Sequence, residues 1–172
     1  MTLNFGFARS SRYKYGRLVV AASIALTGTS ANAFCWRYAA QYSHMPVELL
    51  KAIAMVESGC NPDAYHVNNN GTHDIGLMQI NSVHLPGLRD EGISERALYD
   101  PCTNLLVGAR ILWQQVQRYG WSWEAIGAYH MPDSRYLAAQ KEYAQSVWRG
   151  INSVRAHPDQ CMRNHSYAVT RR

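Results

Sequence analysis

Charge is scarce in this 172-residue sequence, where only 17% of residues are Asp, Glu, Lys or Arg against 47% hydrophobic ones. That is the reverse of a disordered composition. A chain of this length can bury roughly two thirds of its unfolded surface, so one domain with a true core is expected. Long apolar runs are missing too: nothing approaches the ~20 consecutive apolar residues of an ordinary membrane span. No segment repeats at a fixed period and no block of five like charges occurs, which excludes a solenoid and a charged tail.

Several chemistries are absent as well. There is no GxSxG elbow, no glycine-rich phosphate loop, no GxGxxG after a strand and no HExxH. The one Ser-x-x-Lys, Ser11 to Lys14, falls in a segment set aside below. No two cysteines stand two to four residues apart, which argues against a structural zinc site. His66 and His73 lie near Asp74, but their spacing matches no ligand set, so neither metal nor cofactor is expected.

What is present begins with an export signal. Arg9, Arg12, Lys14 and Arg17 make a basic start without any acid, Leu18 to Gly28 is mostly apolar, and Ala31-Asn32-Ala33 puts small residues at the −3 and −1 positions. This reads as a secretory signal peptide over 1–33, cleaved before Phe34, with a domain over 34–151 and a tail over 152–172. Phe34 precedes Cys35 where a lipidation box needs a small residue, so no integral or lipid-held membrane segment is expected after cleavage. The leader holds four of the 17 Lys and Arg residues and none of the 12 Asp and Glu, so the formal charge falls from +5 to +1. The electrostatic case for a nucleic-acid partner goes with it. Four cysteines remain, Cys35, Cys60, Cys102 and Cys161, an even count that suggests two disulfides in an exported chain. Three pairings are possible and spacing does not choose. Cys35 with Cys102 and Cys60 with Cys161 is preferred, since it would tie the first helix to a later helix start and the tail to the centre.

The rest reads as mainly helical. After Pro46 the apolar positions Leu49, Leu50, Ile53, Ala54 and Val56 recur at helical spacing until Gly59. The stretch from Asn61 to Asp74 is polar and rich in Asn and Gly, as turns or a small hairpin require. Asp100-Pro101 caps a helix through Leu105, Ala109, Leu112 and Val116, and Ser122 and Ser134 open two more. Residues beyond Ile151 are expected to form an irregular tail.

Glu57 is the informative residue. It stands seven, four and three positions after Leu50, Ile53 and Ala54, so it continues the apolar stripe. Burial disfavours a charged carboxylate and raises its pKa, as a general acid needs. Periodicity alone leaves open a helix-end glutamate that reaches water or an arginine.

The ordered series Glu57-Ser58, Gly76-Leu77-Met78-Gln79-Ile80-Asn81, Asn104-Leu105 with Gly108, and Ala128-Tyr129 resembles the lytic transglycosylases of the lysozyme-like superfamily, over about residues 35 to 150. The resemblance implies a mainly α, α+β lysozyme-like domain with a small hairpin or irregular segment beside the cleft. It implies peptidoglycan glycan strands as substrate and a periplasmic location. Glu57 would be the single catalytic acid, Gln79 and Asn81 would line sugar subsites, and the Tyr129 hydroxyl would orient the glutamate. Ser58 would be a helix-end cap or a glutamate partner, and Leu77 and Met78 cleft wall or core. Cys35-Trp36 and Asp100-Pro101-Cys102 are similar to small members serving secretion, conjugation and pilus machines, whose components would be partners. In that family the ionised acid then removes a proton from the substrate's C6 hydroxyl, closing a 1,6-anhydro ring without water.

Two features depart from that pattern. Asn68 to Ser82 is also similar to the stretch of animal lysozyme that carries a second carboxylate, at Asp74 here, so Asp74 is a second catalytic candidate or a group that orders the turn. Where the family commonly has Tyr-Asn, this chain has Tyr129-His130, and His130 would replace an amide as a hydrogen-bonding group or be a packing histidine. Of Trp36, Trp113, Trp121, Trp123 and Trp148, most are expected in the core, although some could stack on sugars. Two readings compete with a transglycosylase: a lysozyme-type hydrolase using Glu57 and Asp74, and a non-enzymatic wall-binding subunit.

Overall fold

The computed structural model describes residues 31–161, with side chains from Cys35 onward. The expected leader lies outside them except for its last three residues, which begin the first helix, and the tail beyond Cys161 lies outside as well. The described chain holds six α-helices, three short strands and three 3-10 turns. The helices are α1 (Ala31–Ser43), α2 (Val47–Ser58), α3 (Leu85–Asp90), α4 (Pro101–Tyr119), α5 (Trp123–His130) and α6 (Leu137–Ala156). Between α2 and α3 runs an antiparallel sheet of β1 (Tyr65–Val67), β2 (His73–Ile75) and β3 (Ile80–Asn81), in that spatial order. The fold is the expected mainly α domain with a small hairpin sheet.

The pattern that forms α2 also buries it. Leu50, Ile53 and Ala54 are wholly buried, because α2 packs against α6 on one side and α1 on another, while α4 holds α1 and α5. Asp100 caps α4 by accepting from the Thr103 N–H at 2.8 Å, and Ser122 caps α5 by accepting from the Ala125 N–H at 3.2 Å. Both caps stand where the sequence puts them. The third expected start differs: Ser134 opens a short 3-10 turn, and α6 begins at Leu137.

The irregular tail expected after Ile151 is corrected. α6 continues to Ala156 because Val147, Ile151 and Val154 lie four and three positions apart and all three are buried. The disulfides are Cys35–Cys102 and Cys60–Cys161, with Cα atoms 5.4 and 5.2 Å apart, the preferred of the three pairings. The second bond fastens the end of the described chain to the turn after α2. Buried Lys51 adds a tie there, its Nζ donating to the Pro158 carbonyl at 2.7 Å.

Among the described residues no helix is long and apolar enough to cross a membrane.

Candidate active site

Glu57 occupies the last turn of α2, facing the same way as the buried stripe before it. Its Oε1 accepts a hydrogen bond of 2.6 Å from the Tyr143 hydroxyl on α6. Removal from water pushes its pKa from 4.5 to about 7; the Tyr143 hydrogen bond opposes the rise and the charge of Asp74 adds to it. A carboxyl group so placed is protonated for a substantial fraction of the time at neutral pH, which a solvated glutamate is not.

Asp74 sits in the middle of the sheet, paired across it with His66 on one side and Asn81 on the other. Its two oxygens are held separately: Asn68 Nδ2 donates to Oδ2 at 2.8 Å and Asn81 Nδ2 donates to Oδ1 at 2.7 Å. Both amides also reach the Thr72 hydroxyl oxygen at 3.1 Å, while that hydroxyl donates to Asn70 Oδ1 at 2.7 Å. Two amide donors thus fix the orientation of the carboxyl group. The Asp74 charge adds to the rise that burial causes at Glu57 and Tyr129 and opposes the fall that burial causes at His130.

The segment between β2 and β3 is moulded onto α4. Asn104, fully buried, donates from Nδ2 to the carbonyls of Ile75 and Leu98, each at 2.8 Å, and accepts from the Met78 N–H at 2.7 Å. Ser58 joins the same segment to the end of α2 by donating to the Leu77 carbonyl at 2.7 Å. The motif therefore works as a clamp that sets the sheet against α2.

Several sequence expectations change against this geometry. Tyr129 donates to the Met78 carbonyl at 2.8 Å, so the hydroxyl that meets Glu57 belongs to Tyr143. Met78 is wholly buried against Gly108, the core alternative of its cleft-wall-or-core expectation. Gln79 donates from Nε2 to the Gly76 carbonyl at 2.9 Å, which commits its amide nitrogen to the turn. Asn81 is spent on Asp74 and on accepting from the Val83 N–H at 3.0 Å. The His130 ring lies flat on that of Tyr143, with centroids 4.7 Å apart and planes inclined by 4°. His73 Nε2 lies 2.9 Å from Glu95 Oε1. Trp36 joins the core, but Trp121, Trp123 and Trp148 are about half exposed, against the core packing expected of most. Trp123 and Trp148 meet edge to face beside a cavity of about 600 Å³ between α5 and α6, lined by neither carboxylate.

Sequence reasoning missed Tyr143, Asn68 and Thr72 as site residues. Tyr143 stands 86 residues from Glu57 on another helix, where it read as one apolar helical position among several. Asn68 and Thr72 were visible only as turn formers.

Removing the Tyr143 hydroxyl should be legible in the pH profile. That hydrogen bond favours the ionised glutamate, so Tyr143→Phe raises the Glu57 pKa and moves the alkaline limb of kcat/KM upward by about one pH unit. A limb that stays in place would mean that Glu57 is not the titrating acid.

Comparison with known proteins bears on this geometry. The family model for the Transglycosylase SLT domain matches residues 34–148. Invasion protein IagB of Salmonella typhimurium is 42% identical over 132 residues, covering 76% of this chain and 82% of its own. Protein IpgF of Shigella flexneri is 40% identical over 131 residues, covering 75% and 86%. The lytic transglycosylase Slt of Pseudomonas aeruginosa, solved as an inactive mutant, superposes with a TM-score of 0.56 at 23% identity. It covers 70% of this chain, which spans only 23% of Slt, and it shows a shared fold.

Proposed function

Because the chain belongs to the Transglycosylase SLT domain family and is a peptidoglycan lytic transglycosylase, we propose that Glu57 serves in turn as its acid and its base. The supporting observation is a carboxyl group held near pH 7 by burial and fixed by one hydroxyl donor. Neutral Glu57 protonates the glycosidic oxygen between N-acetylmuramic acid and N-acetylglucosamine, and the C1–O bond breaks with positive charge growing on the muramyl ring. The carboxylate left behind takes the proton of the C6 hydroxyl, whose oxygen closes on C1 to give the 1,6-anhydro product. Glu57 ends protonated and ready for the next cycle. Asp74, tethered by two amides, faces the same centre as a fixed negative charge and stabilises the cationic transition state.

The protein is exported through its first 33 residues and acts on the periplasmic wall. Its service to a secretion, conjugation or pilus apparatus is supported by its likeness to a Salmonella protein named for invasion. Such an apparatus needs a local opening in the glycan mesh.

Mass spectrometry of soluble fragments from purified sacculi tests the proposal. Anhydromuramyl ends are expected; reducing ends, heavier by one water, would establish the hydrolase, and binding without soluble products the wall-binding subunit.

A further inference from the structure

The ring of His130 lies on the tyrosine that donates a hydrogen bond to Glu57. His130 ends α5, and its imidazole stacks in parallel on the phenol of Tyr143, 4.7 Å between centroids and 4° between planes. Tyr143 is itself 7% exposed, whereas His130 keeps an open side. The imidazole therefore lies between solvent and the phenol that donates to Glu57. Four ionisable groups face this spot: Tyr143 from α6, Glu57 from α2, Asp74 from β2 and Tyr129 from α5 itself.

From this stacking we infer that His130 is a positioning residue, a water-excluding cover that acts through Tyr143 to keep the Glu57–Tyr143 pair dry. Of the two expectations for this position, a hydrogen-bonding group in place of an amide and a packing histidine, this develops the second and gives the packed ring a task. It is a role for the flat ring, not for its nitrogens. It rests on the proposed function of Glu57, whose neutral form must persist near neutral pH.

The sign of the effect follows from what the cover does. Burial is the largest influence on Glu57, outweighing the hydrogen bond that opposes it. Opening the cover admits water to the carboxylate and lowers its pKa, so the alkaline limb of kcat/KM moves down in pH. Tyr143→Phe moves the same limb up. Loss of fold alone would shift neither.

The experiment compares pH profiles of kcat/KM for wild type, His130→Ala, His130→Phe and His130→Asn on solubilised glycan strands, with anhydro product as the readout. His130→Ala is expected to bring the limb down by about one pH unit and to lose roughly tenfold at pH 7.5. His130→Phe, which keeps a flat ring without nitrogens, should restore most of both; His130→Asn, which keeps hydrogen-bonding groups without a ring, should not. Recovery by Asn with failure of Phe would overturn the inference in favour of a substrate hydrogen bond. An unmoved limb in His130→Ala, with circular dichroism unchanged, would overturn it too. Wild type without anhydro product would instead strike at the function of Glu57, so the two failures stay distinguishable.

Discussion

Glu57→Gln is expected to lower release of anhydromuropeptides from sacculi by about 10³-fold or more, and at the same time to make the protein more stable above neutral pH. The first effect follows because Gln fills the same space but cannot surrender an acid proton, and positioned proton transfer is worth ~10²–10⁴-fold. Both halves of the proposed reaction pass through this one group, so no other carboxyl takes over. The second follows by linkage. The folded pKa of about 7 lies above the ordinary 4.5, so the folded state binds the proton more tightly than the unfolded one. Stability is therefore unpenalised below pH 4.5, falls as pH rises towards 7 and stays lowered above it, by about 3 kcal/mol in all. Gln removes that penalty, so the variant should gain stability at pH 8 and lose the gain at pH 4. Urea titrations at both pH values, run beside product analysis, check the pair of effects. Asp74→Asn should keep measurable turnover, reduced by ~10- to 100-fold, because in the proposed reaction Asp74 supplies charge stabilisation and moves no proton. Full activity in Asp74→Asn would leave that residue as a turn former.

The sequence showed the glutamate and not its partner, for a physical reason. Glu57 shares a helix with the apolar residues that betray it, since position along an α-helix fixes direction in space. Its hydroxyl donor comes from α6, and nothing local ties Tyr143 to Glu57 more than it ties Tyr129. Helix starts were legible at Asp100 and Ser122 because a cap is a local event, decided within four residues. The end of α6 was misjudged although Val147, Ile151 and Val154 carry the period, since polar residues between them dilute it. Gln79, Asn81 and Met78 carry structural contacts that the family motif alone does not reveal. Met78 fills the space beside Gly108, and Asn81 holds Asp74.

Gly76→Ala is expected to cost about 3–5 kcal/mol. Two penalties meet at that residue. Its φ of 73° lies in the left-handed region, where an added Cβ costs roughly 1–2 kcal/mol. That Cβ would also stand 2.4 Å from Asn104 Nδ2 and 2.6 Å from the Leu98 carbonyl oxygen. Neither neighbour can give way cheaply. Leu98 presents backbone, and the Asn104 amide is held by the carbonyls of Ile75 and Leu98 and by the Met78 N–H. Moving Asn104 leaves three buried backbone groups without partners, each costing about 1–3 kcal/mol. Against a total stability of about 5–15 kcal/mol, such a loss should lower the urea midpoint by at least about 1 M. Gly71→Ala separates the two penalties. Gly71 has a φ of 83° but nothing within 4 Å of an added Cβ, so it should show the conformational cost alone, about 1–2 kcal/mol. Activity should divide the same way: the segment at Gly76 carries the carbonyl that Tyr129 binds and the one that anchors Ser58 beside Glu57. Gly76→Ala should therefore lose turnover even where it remains folded, and Gly71→Ala should not. Equal destabilisation of the two variants would mean that the close fit between this turn and α4 contributes little to holding the site together.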